Sequence, residues 1–219
     1  MSYIKLKGTF TAGLWESAAP LVTKIISCGF VAELADGTLS HNCFAHYLSQ
    51  DILYLRQDNE ALETLSKRSA EAPYREFFLK LANDGIAVEK KLHEEYLKHF
   101  KVEEAHEQSP AFKDYGRFIL QQARLAPYPV AAATLLPCFW VYACTGEAIA
   151  RKVVASNKYQ KFIDTYSGNE YESYVEQFIA VVETLGQKAD REVQDLMKQS
   201  FLKATAFELA VFEEAITCK

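Results

Sequence analysis

Apolar residues recur at intervals of three and four along almost the whole chain, and few helix-breaking residues interrupt them. Nine glycines and six prolines in 219 residues are below average usage, and no stretch alternates apolar and polar residues as a half-buried strand does. The pattern predicts an all-α fold. The expected helices are 9–26, 28–35, 40–69, 73–100, 109–124, 127–154, 158–165, 169–186 and 188–216.

Turn signals between these helices are sparse. Asp36-Gly37 and Gly168-Asn169 are turn dipeptides, and the run 83–85 (Asn-Asp-Gly) is a candidate break in the fourth helix. No linker or repeat divides the chain, and a hydrophobic content of 49% suffices for one core. We therefore expect a single domain over 1–219.

Charge and composition argue against several classes of protein. The net charge is −5, with no basic stripe carrying interleaved aromatics, so nucleic acid is not an expected partner. No 18-residue run is uninterruptedly apolar, and residues 1–10 lack the pattern of a signal peptide, so we expect no membrane partner. The five cysteines match no disulfide or CxxC pattern, which favours free thiols and a cytoplasmic location.

A metal site is not expected. All five histidines lie in the first half of the chain. A ferritin-type dimetal site needs a Glu–His pair on each of two helices, so only unusual ligands would provide one here. There is no Gly-rich phosphate loop either.

Asp51 interrupts the apolar stripe of the third predicted helix. It lies three residues after Leu48, and Tyr47 and Tyr54 flank it at spacings of four and three, so all share one face. A carboxylate on an inward face is costly unless it is paired. The alternative is an ordinary structural acid at the edge of the stripe.

Glu208 occupies a similar position in the last predicted helix. It follows Ala204 by four residues and precedes Val211 by three, within the inward stripe, whereas Glu213 and Glu214 are expected to be solvated. An inward glutamate is a candidate general acid with a raised pKa, or equally a structural acid held by a tyrosine.

Cys138 lies in the most apolar segment, directly after Pro137. A proline inside a helix leaves a carbonyl without its partner and usually kinks the helix, and irregular backbone often borders a pocket. Tyr142 shares the face of Cys138 at i+4. The alternative is a small buried core residue, which is the usual role of a free cysteine.

Twelve tyrosines are present, and several fall on expected inward faces. A buried tyrosine needs a partner for its hydroxyl, so tyrosines near buried acids indicate either a pocket for a flat heteroaromatic ligand or ordinary aromatic packing. The tyrosines concerned are Tyr47, Tyr54, Tyr115, Tyr142 and Tyr166.

Four short motifs occur together in a familiar order. They are Tyr47–Tyr54, Leu136–Tyr142 followed by Gly146-Glu147, Phe162–Ser167, and Phe207–Phe212. With them the chain resembles the TenA, or thiaminase II, family of aminopyrimidine aminohydrolases over nearly its full length. The resemblance implies a haem-oxygenase-like helical bundle, usually a homotetramer, that needs no cofactor. It implies hydrolysis of a C–N bond at the pyrimidine methylene of thiamine or its degradation products, in thiamine salvage.

The resemblance also implies residue roles. Cys138 adds to the pyrimidine ring, Glu208 protonates a ring nitrogen, and Asp51 orients the thiol or the exocyclic amine and helps to activate water. Tyr115 stacks on the pyrimidine. The residues that position the ring and supply hydroxyls are Tyr54, Tyr142 and Tyr166.

The chain departs from the family pattern at three positions. Phe162, Glu213 and Glu214 replace residues that are usually two tryptophans and a methionine, which affects packing and substrate preference rather than a catalytic group. Two other functions remain open: a pyrimidine-binding regulatory bundle without turnover, and a metal-dependent oxygenase on the same scaffold.

Overall fold

The computed structural model describes residues 8–164 and 169–218, except for the side chains of residues 89, 92, 93, 169 and 170. Helices dominate the described residues, and none of these residues is in a strand, so the all-α prediction is confirmed. The α-helices are α1 (Thr9–Ser27), α2 (Gly29–Asp36), α3 (His41–Arg68), α4 (Ala72–Lys91), α5 (Lys98–Phe100), α6 (Pro110–Leu125), α7 (Tyr128–Ala150), α8 (Gln160–Ile163), α9 (Asn169–Lys188) and α10 (Arg191–Ala215).

The predicted helix over 73–100 differs from the structure in one instructive way. The run 83–85 does not interrupt it, because α4 continues to Lys91 and a π-helical turn, Leu92–Leu97, follows. Gly85 is retained inside α4 because α3 approaches closely there: a Cβ on Gly85 would lie 2.2 Å from Asn59 Oδ1. Tertiary packing therefore overrides a local breaker signal.

Two predicted helices are shorter in the structure. The segment predicted over 127–154 ends at Ala150 in α7, and the described part of the segment predicted over 158–165 contains the four-residue helix α8, while residue 165 lies outside the described residues. α7 is continuous through Pro137.

Polar side chains fix the starts of the helices that carry the site. Ser40 caps α3 by accepting a hydrogen bond from Cys43 N, and Asp190 caps α10 by accepting one from Val193 N. Such caps contribute about 1 kcal/mol each.

Glu214 is the exception to the predicted solvated face of α10. Its carboxylate accepts hydrogen bonds from the Ser109 hydroxyl and from Ala111 N, the latter at 2.8 Å. The start of α6 has no side-chain cap of its own, so Glu214 satisfies an otherwise open N–H there. Glu213 is exposed, as predicted.

α7 is the core helix of the described fold. It packs against α1, α3, α6, α9 and α10. Its length and composition would allow it to cross a membrane, but 83% of its apolar window is buried inside the protein, which is how a core helix behaves. Trp140 is fully buried and stacks on Trp15 of α1 at 4.4 Å between ring centroids.

Candidate active site

A cavity of about 120 Å³ lies among α3, α4, α7 and α9. A cavity of about 150 Å³ holds a benzene ring, so this space is on the scale of a single aromatic ring. The lining residues are Asp51, Tyr54, Leu55, Asp58, Asn59, Leu62, Leu81, Asp84, Gly85, Val88, Cys138, Phe139, Tyr142, Tyr171 and Tyr174. A mainly apolar wall with a few polar groups is typical of a small-molecule site.

α3 contributes two carboxyl groups to this wall. Asp51 and Asp58 are seven residues apart, which is two helical turns, so both face the cavity. Each is only 3% exposed. Among the described residues, no hydrogen-bond partner reaches Asp51 Oδ2 or Asp58 Oδ1. These oxygens are therefore free to receive a ligand.

Burial makes these carboxyl groups weak acids. Desolvation raises the pKa of Asp51 to about 7, opposed by a hydrogen bond from Tyr47. Desolvation, reinforced by the nearby charge of Asp51, raises the pKa of Asp58 to about 7. Glu208, 1% exposed, has its pKa raised by burial to about 8. All three are therefore poised to exchange protons near neutral pH.

Cys138 is partly buried and lines the same cavity. Desolvation raises its thiol pKa well above the ordinary value, and the charges of Asp58, Glu208 and Asp51 add to this effect, while the Tyr54 hydroxyl opposes it. The thiol is therefore protonated at neutral pH. A reaction that uses its sulfur as a nucleophile needs a base to accept the proton during attack.

Glu208 lies behind the cavity wall rather than in it. The Tyr115 hydroxyl donates to Glu208 Oε1 at 2.5 Å, and neither residue is among those that line the cavity. The hydrogen bond of Glu208 is therefore the one that the structural alternative expected, an acid held by a tyrosine. Its raised pKa still fits a general acid.

The two faces of the Tyr115 ring are occupied by other aromatic rings. Tyr54 stacks against it at 4.7 Å and Phe207 at 5.4 Å between centroids. Tyr54 is the member of this stack that lines the cavity. Direct stacking of Tyr115 on a ligand, as the resemblance implies, would require Tyr54 to move aside.

Tyr142 lines the cavity and is linked to α3 through Tyr47. The two tyrosine hydroxyls are hydrogen-bonded, and Tyr47 also bonds to Asp51. Phe162, one of the departures, is buried, and its ring is nearly perpendicular to the Tyr47 ring with 6.0 Å between the two ring centroids. Tyr166 lies outside the described residues.

The structure thus brings Asp51, Tyr54, Cys138 and Tyr142 to one cavity. Sequence reasoning missed Asp58, although it lies three residues after Leu55 and four before Leu62, on the same stripe as Asp51.

Sequence reasoning also missed Tyr171, whose hydroxyl donates to the carbonyl oxygens of Cys138 at 3.4 Å and Phe139 at 3.3 Å. No local sequence pattern predicts this contact, because it joins α9 to α7, two helices that are separated in the chain.

The cavity does not form a metal centre in the part of the chain that the structure describes. No group of three or more His, Cys, Asp or Glu side chains there could hold a metal ion. The carboxyl groups whose charges act on the Cys138 thiol, those of Asp51, Asp58 and Glu208, can instead hold and release protons.

Two curated proteins are similar to this chain in sequence. The thiamine biosynthesis multifunctional protein ThiED of Corynebacterium efficiens is 35% identical over 209 residues, which are 95% of this chain but only 28% of that protein. The chain therefore spans less than a third of that relative's length. The aminopyrimidine aminohydrolase of Bacillus subtilis is 26% identical over 183 residues, 82% of this chain and 78% of that protein.

Solved structures share the fold. The TenA homologue of P. horikoshii OT3 superimposes with a TM-score of 0.86 at 26% identity, over 97% of this chain and 100% of that one. Heme oxygenase 2 of Chlamydomonas reinhardtii superimposes with a TM-score of 0.68 at 15% identity, over 94% and 97%. The expected haem-oxygenase-like fold is confirmed.

Nearly the whole chain matches one protein family. The model of the TENA/THI-4/PQQC family matches residues 15–218, which include every described residue that lines the cavity. The chain therefore belongs to the TENA/THI-4/PQQC family.

Proposed function

We propose that this chain hydrolyses the C–N bond at the methylene carbon of a thiamine-type aminopyrimidine, with Cys138 as the nucleophile. The observation that carries the proposal is a ring-sized cavity whose wall holds a thiol beside buried carboxyl groups. The aminopyrimidine aminohydrolase of Bacillus subtilis supports it as a relative. The product is hydroxymethylpyrimidine, and thiamine salvage is the proposed role.

The first step is addition of sulfur to the ring. The Cys138 sulfur bonds to the pyrimidine carbon next to the one that carries the methylene group, and Asp51 accepts the thiol proton. Glu208 gives its proton to a ring nitrogen as electrons flow there. Because neither Glu208 nor Tyr115 lines the cavity, this transfer requires Tyr115, whose hydroxyl is bonded to the Glu208 carboxyl group, to move aside. Protonation of the nitrogen limits charge in a poorly solvated site.

The second step releases the leaving group. Addition of sulfur breaks the aromaticity of the ring, and the lone pair of the exocyclic amino group then expels the leaving group from the methylene carbon. Water adds its oxygen to that carbon and loses one proton, which ends on the released amine or, when the leaving group is a neutral thiazole, in solvent. The sulfur then departs as the proton on Asp51 returns to Cys138 and the proton on the ring nitrogen returns to Glu208. Covalent addition thus divides one difficult displacement into easier steps.

Product analysis tests the proposal. Purified protein, treated with chelator, is expected to convert aminomethylpyrimidine or thiamine to hydroxymethylpyrimidine. Cys138→Ser is expected to lose at least about 100-fold in turnover. Cys144→Ser is the matched control, because Cys144 is a buried cysteine on the same helix that does not line the cavity. Normal turnover by Cys138→Ser would rule out the nucleophile.

Calorimetry with the same pyrimidines, beside the product assay, separates the alternatives. Tight binding of the pyrimidine by wild-type protein without product would favour a regulatory bundle, for which the neutral Cys138 thiol is the supporting observation. Turnover that requires added iron would favour an oxygenase.

The single domain, the homotetramer and the cytoplasmic location are part of the proposal. The free cysteines support a reducing location. Light scattering of the purified protein tests the oligomeric state: four chains per particle are expected, and a monomer would contradict it.

A further inference from the structure

Asp58 and Asn59 form a second polar patch on the cavity wall, which the steps at Cys138 leave unused. Both side chains line the cavity, with exposed fractions of 3% and 5%. They lie on α3 about two turns beyond Asp51, and Asn59 faces Gly85 of α4. With a rise of 1.5 Å per residue, Asp51 and Asp58 are roughly 10 Å apart along the helix axis.

This patch lacks partners within the described protein. Asp58 Oδ1 and both amide atoms of Asn59 have none. A buried polar group without a partner costs about 1–3 kcal/mol, so three such atoms facing one cavity point to a ligand that supplies both hydrogen-bond donors and acceptors. Asn59 is also held against Gly85, whose missing Cβ leaves the space.

Asp58 and the reacting sulfur share one cavity, because Asp58 and Cys138 both line it. Of the carboxyl groups whose charges raise the pKa of the Cys138 thiol, Asp58 has the largest effect. A ring small enough for this cavity and bound against Cys138 therefore has Asp58 on the same cavity wall. The methylene carbon and its leaving group lie next to the attacked ring carbon.

The chemistry requires a proton at that place for one class of leaving group. An amine nitrogen that departs without a proton leaves as an amide ion, which is a very poor leaving group. A thiazolium nitrogen is already positively charged and departs as a neutral thiazole. At this stage Glu208 has given its proton to the ring, and the proton on Asp51 is the one that returns to the sulfur when it departs, so a third acid supplies the proton to the amine.

We propose that Asp58 is the acid for an amine leaving group and that Asn59 positions the amine nitrogen, so that this patch is a subsite for substrates with a primary amine or formamide rather than a thiazolium. This inference rests on the proposed function. The Asp58 carboxyl proton passes to the amine nitrogen as the C–N bond breaks, and the bonding pair stays on nitrogen. The water that adds to the methylene carbon then returns a proton to Asp58.

The test compares two leaving groups in the same variants. Asp58→Asn is expected to lower kcat for aminomethylpyrimidine by about 100-fold or more, the contribution of a general acid, and kcat for thiamine by less than about tenfold. Asp58→Glu is expected to regain part of the lost amine activity. Equal losses on both substrates, or no loss on either, would overturn the proposal.

Asp84→Asn is the matched control. Asp84 also lines the cavity, but its carboxylate already accepts hydrogen bonds from Lys80 and Tyr174 at 2.6 Å each. We expect its ratio of amine to thiamine turnover to equal that of the wild type. If Asp84→Asn changed the ratio of amine to thiamine turnover as much as Asp58→Asn does, the change would reflect the charge of the cavity as a whole. That result would overturn the assignment of Asp58 as the acid.

A second variant tests the subsite independently of Asp58→Asn. If Asp58→Asn does not fold, Asn59→Ala is expected to raise KM for aminomethylpyrimidine about tenfold, as for loss of about 1.4 kcal/mol, and KM for thiamine much less. Equal changes in KM for the two substrates would overturn the subsite.

A wild type that cleaves only aminomethylpyrimidine still tests Asp58, because Asp58→Asn must then lose that activity. A wild type active on neither substrate contradicts the proposed function itself.

Discussion

Tyr115 donates its hydroxyl proton to Glu208 Oε1 at 2.5 Å, and it stacks on Tyr54, which lines the cavity. Glu208, the candidate general acid, is thus linked to the cavity wall by its hydrogen bond with Tyr115 and by the stacking of Tyr115 on Tyr54. The hydrogen bond lowers the pKa of Glu208, while burial raises it to about 8. The strength of Glu208 as an acid is therefore a balance between these two effects.

Replacing Tyr115 should shift that balance. Tyr115→Phe removes the hydrogen bond, so the pKa of Glu208 rises further above about 8 and the carboxyl becomes a weaker acid. We expect kcat to fall by about tenfold or more and the alkaline limb of the pH–rate profile to move to higher pH. Phe207→Leu, which changes the other face of the Tyr115 stack, is the control. An unmoved alkaline limb in Tyr115→Phe would show that Glu208 is not the group titrated.

The buried acids should make stability fall as the pH rises. Asp51, Asp58 and Glu208 have ordinary pKa values of 3.8, 3.8 and 4.5 and folded values of about 7, 7 and 8. Between about pH 4 and 8 the folded state therefore binds more protons than the unfolded chain, and the free energy of unfolding decreases with pH. We expect a loss on the order of 1 kcal/mol per group across this window.

Urea denaturation at pH 5 and at pH 8.5 measures this difference. A free energy of unfolding that rises from pH 5 to pH 8.5 would contradict the raised pKa values of the buried carboxyl groups.

Asp51→Asn should separate activity from stability. The amide keeps the shape of the carboxyl but has no charge to bury, so we expect the variant to be more stable than wild type at pH 8.5, by on the order of 1 kcal/mol. It accepts no proton from Cys138, so turnover should fall about 100-fold or more. Denaturation and product assays on one preparation measure both. Loss of stability together with activity would indicate a structural acid.

Gly85→Ala should affect the site more than the fold. The new Cβ would lie 2.2 Å from Asn59 Oδ1, so the carboxamide must turn away, while replacement of a helical glycine by alanine favours the helix by about 0.5–1 kcal/mol. We expect stability within about 1 kcal/mol of wild type and a raised KM for aminomethylpyrimidine.

Gly13→Ala is the control for Gly85→Ala, because a Cβ on Gly13 meets nothing within 4 Å. It should gain stability and keep its KM. An unchanged KM in Gly85→Ala would show that the carboxamide of Asn59 does not contact the substrate.

The sequence predicts those features of the site that depend on one helix alone. Asp51, Cys138 and Glu208 could be singled out because each interrupts or shares an apolar stripe within its own segment. The relationships between helices could not be predicted, because the Tyr115–Glu208 bond joins residues 93 positions apart.

Glu214 shows the same limit. Its local pattern indicates a solvated face, but α6 begins beside it and offers an open backbone N–H at Ala111.

The central claim is that an aminopyrimidine ring occupies this cavity with its methylene-bearing edge toward residue 138. A crystal structure of Cys138→Ser with aminomethylpyrimidine tests it most directly. We predict the ring beside Tyr54, the residue 138 side chain against the ring carbon next to the methylene group, and the amine nitrogen within hydrogen-bond distance of Asp58. A ligand bound outside the cavity, or a ring whose methylene group points away from residue 138, would contradict the account.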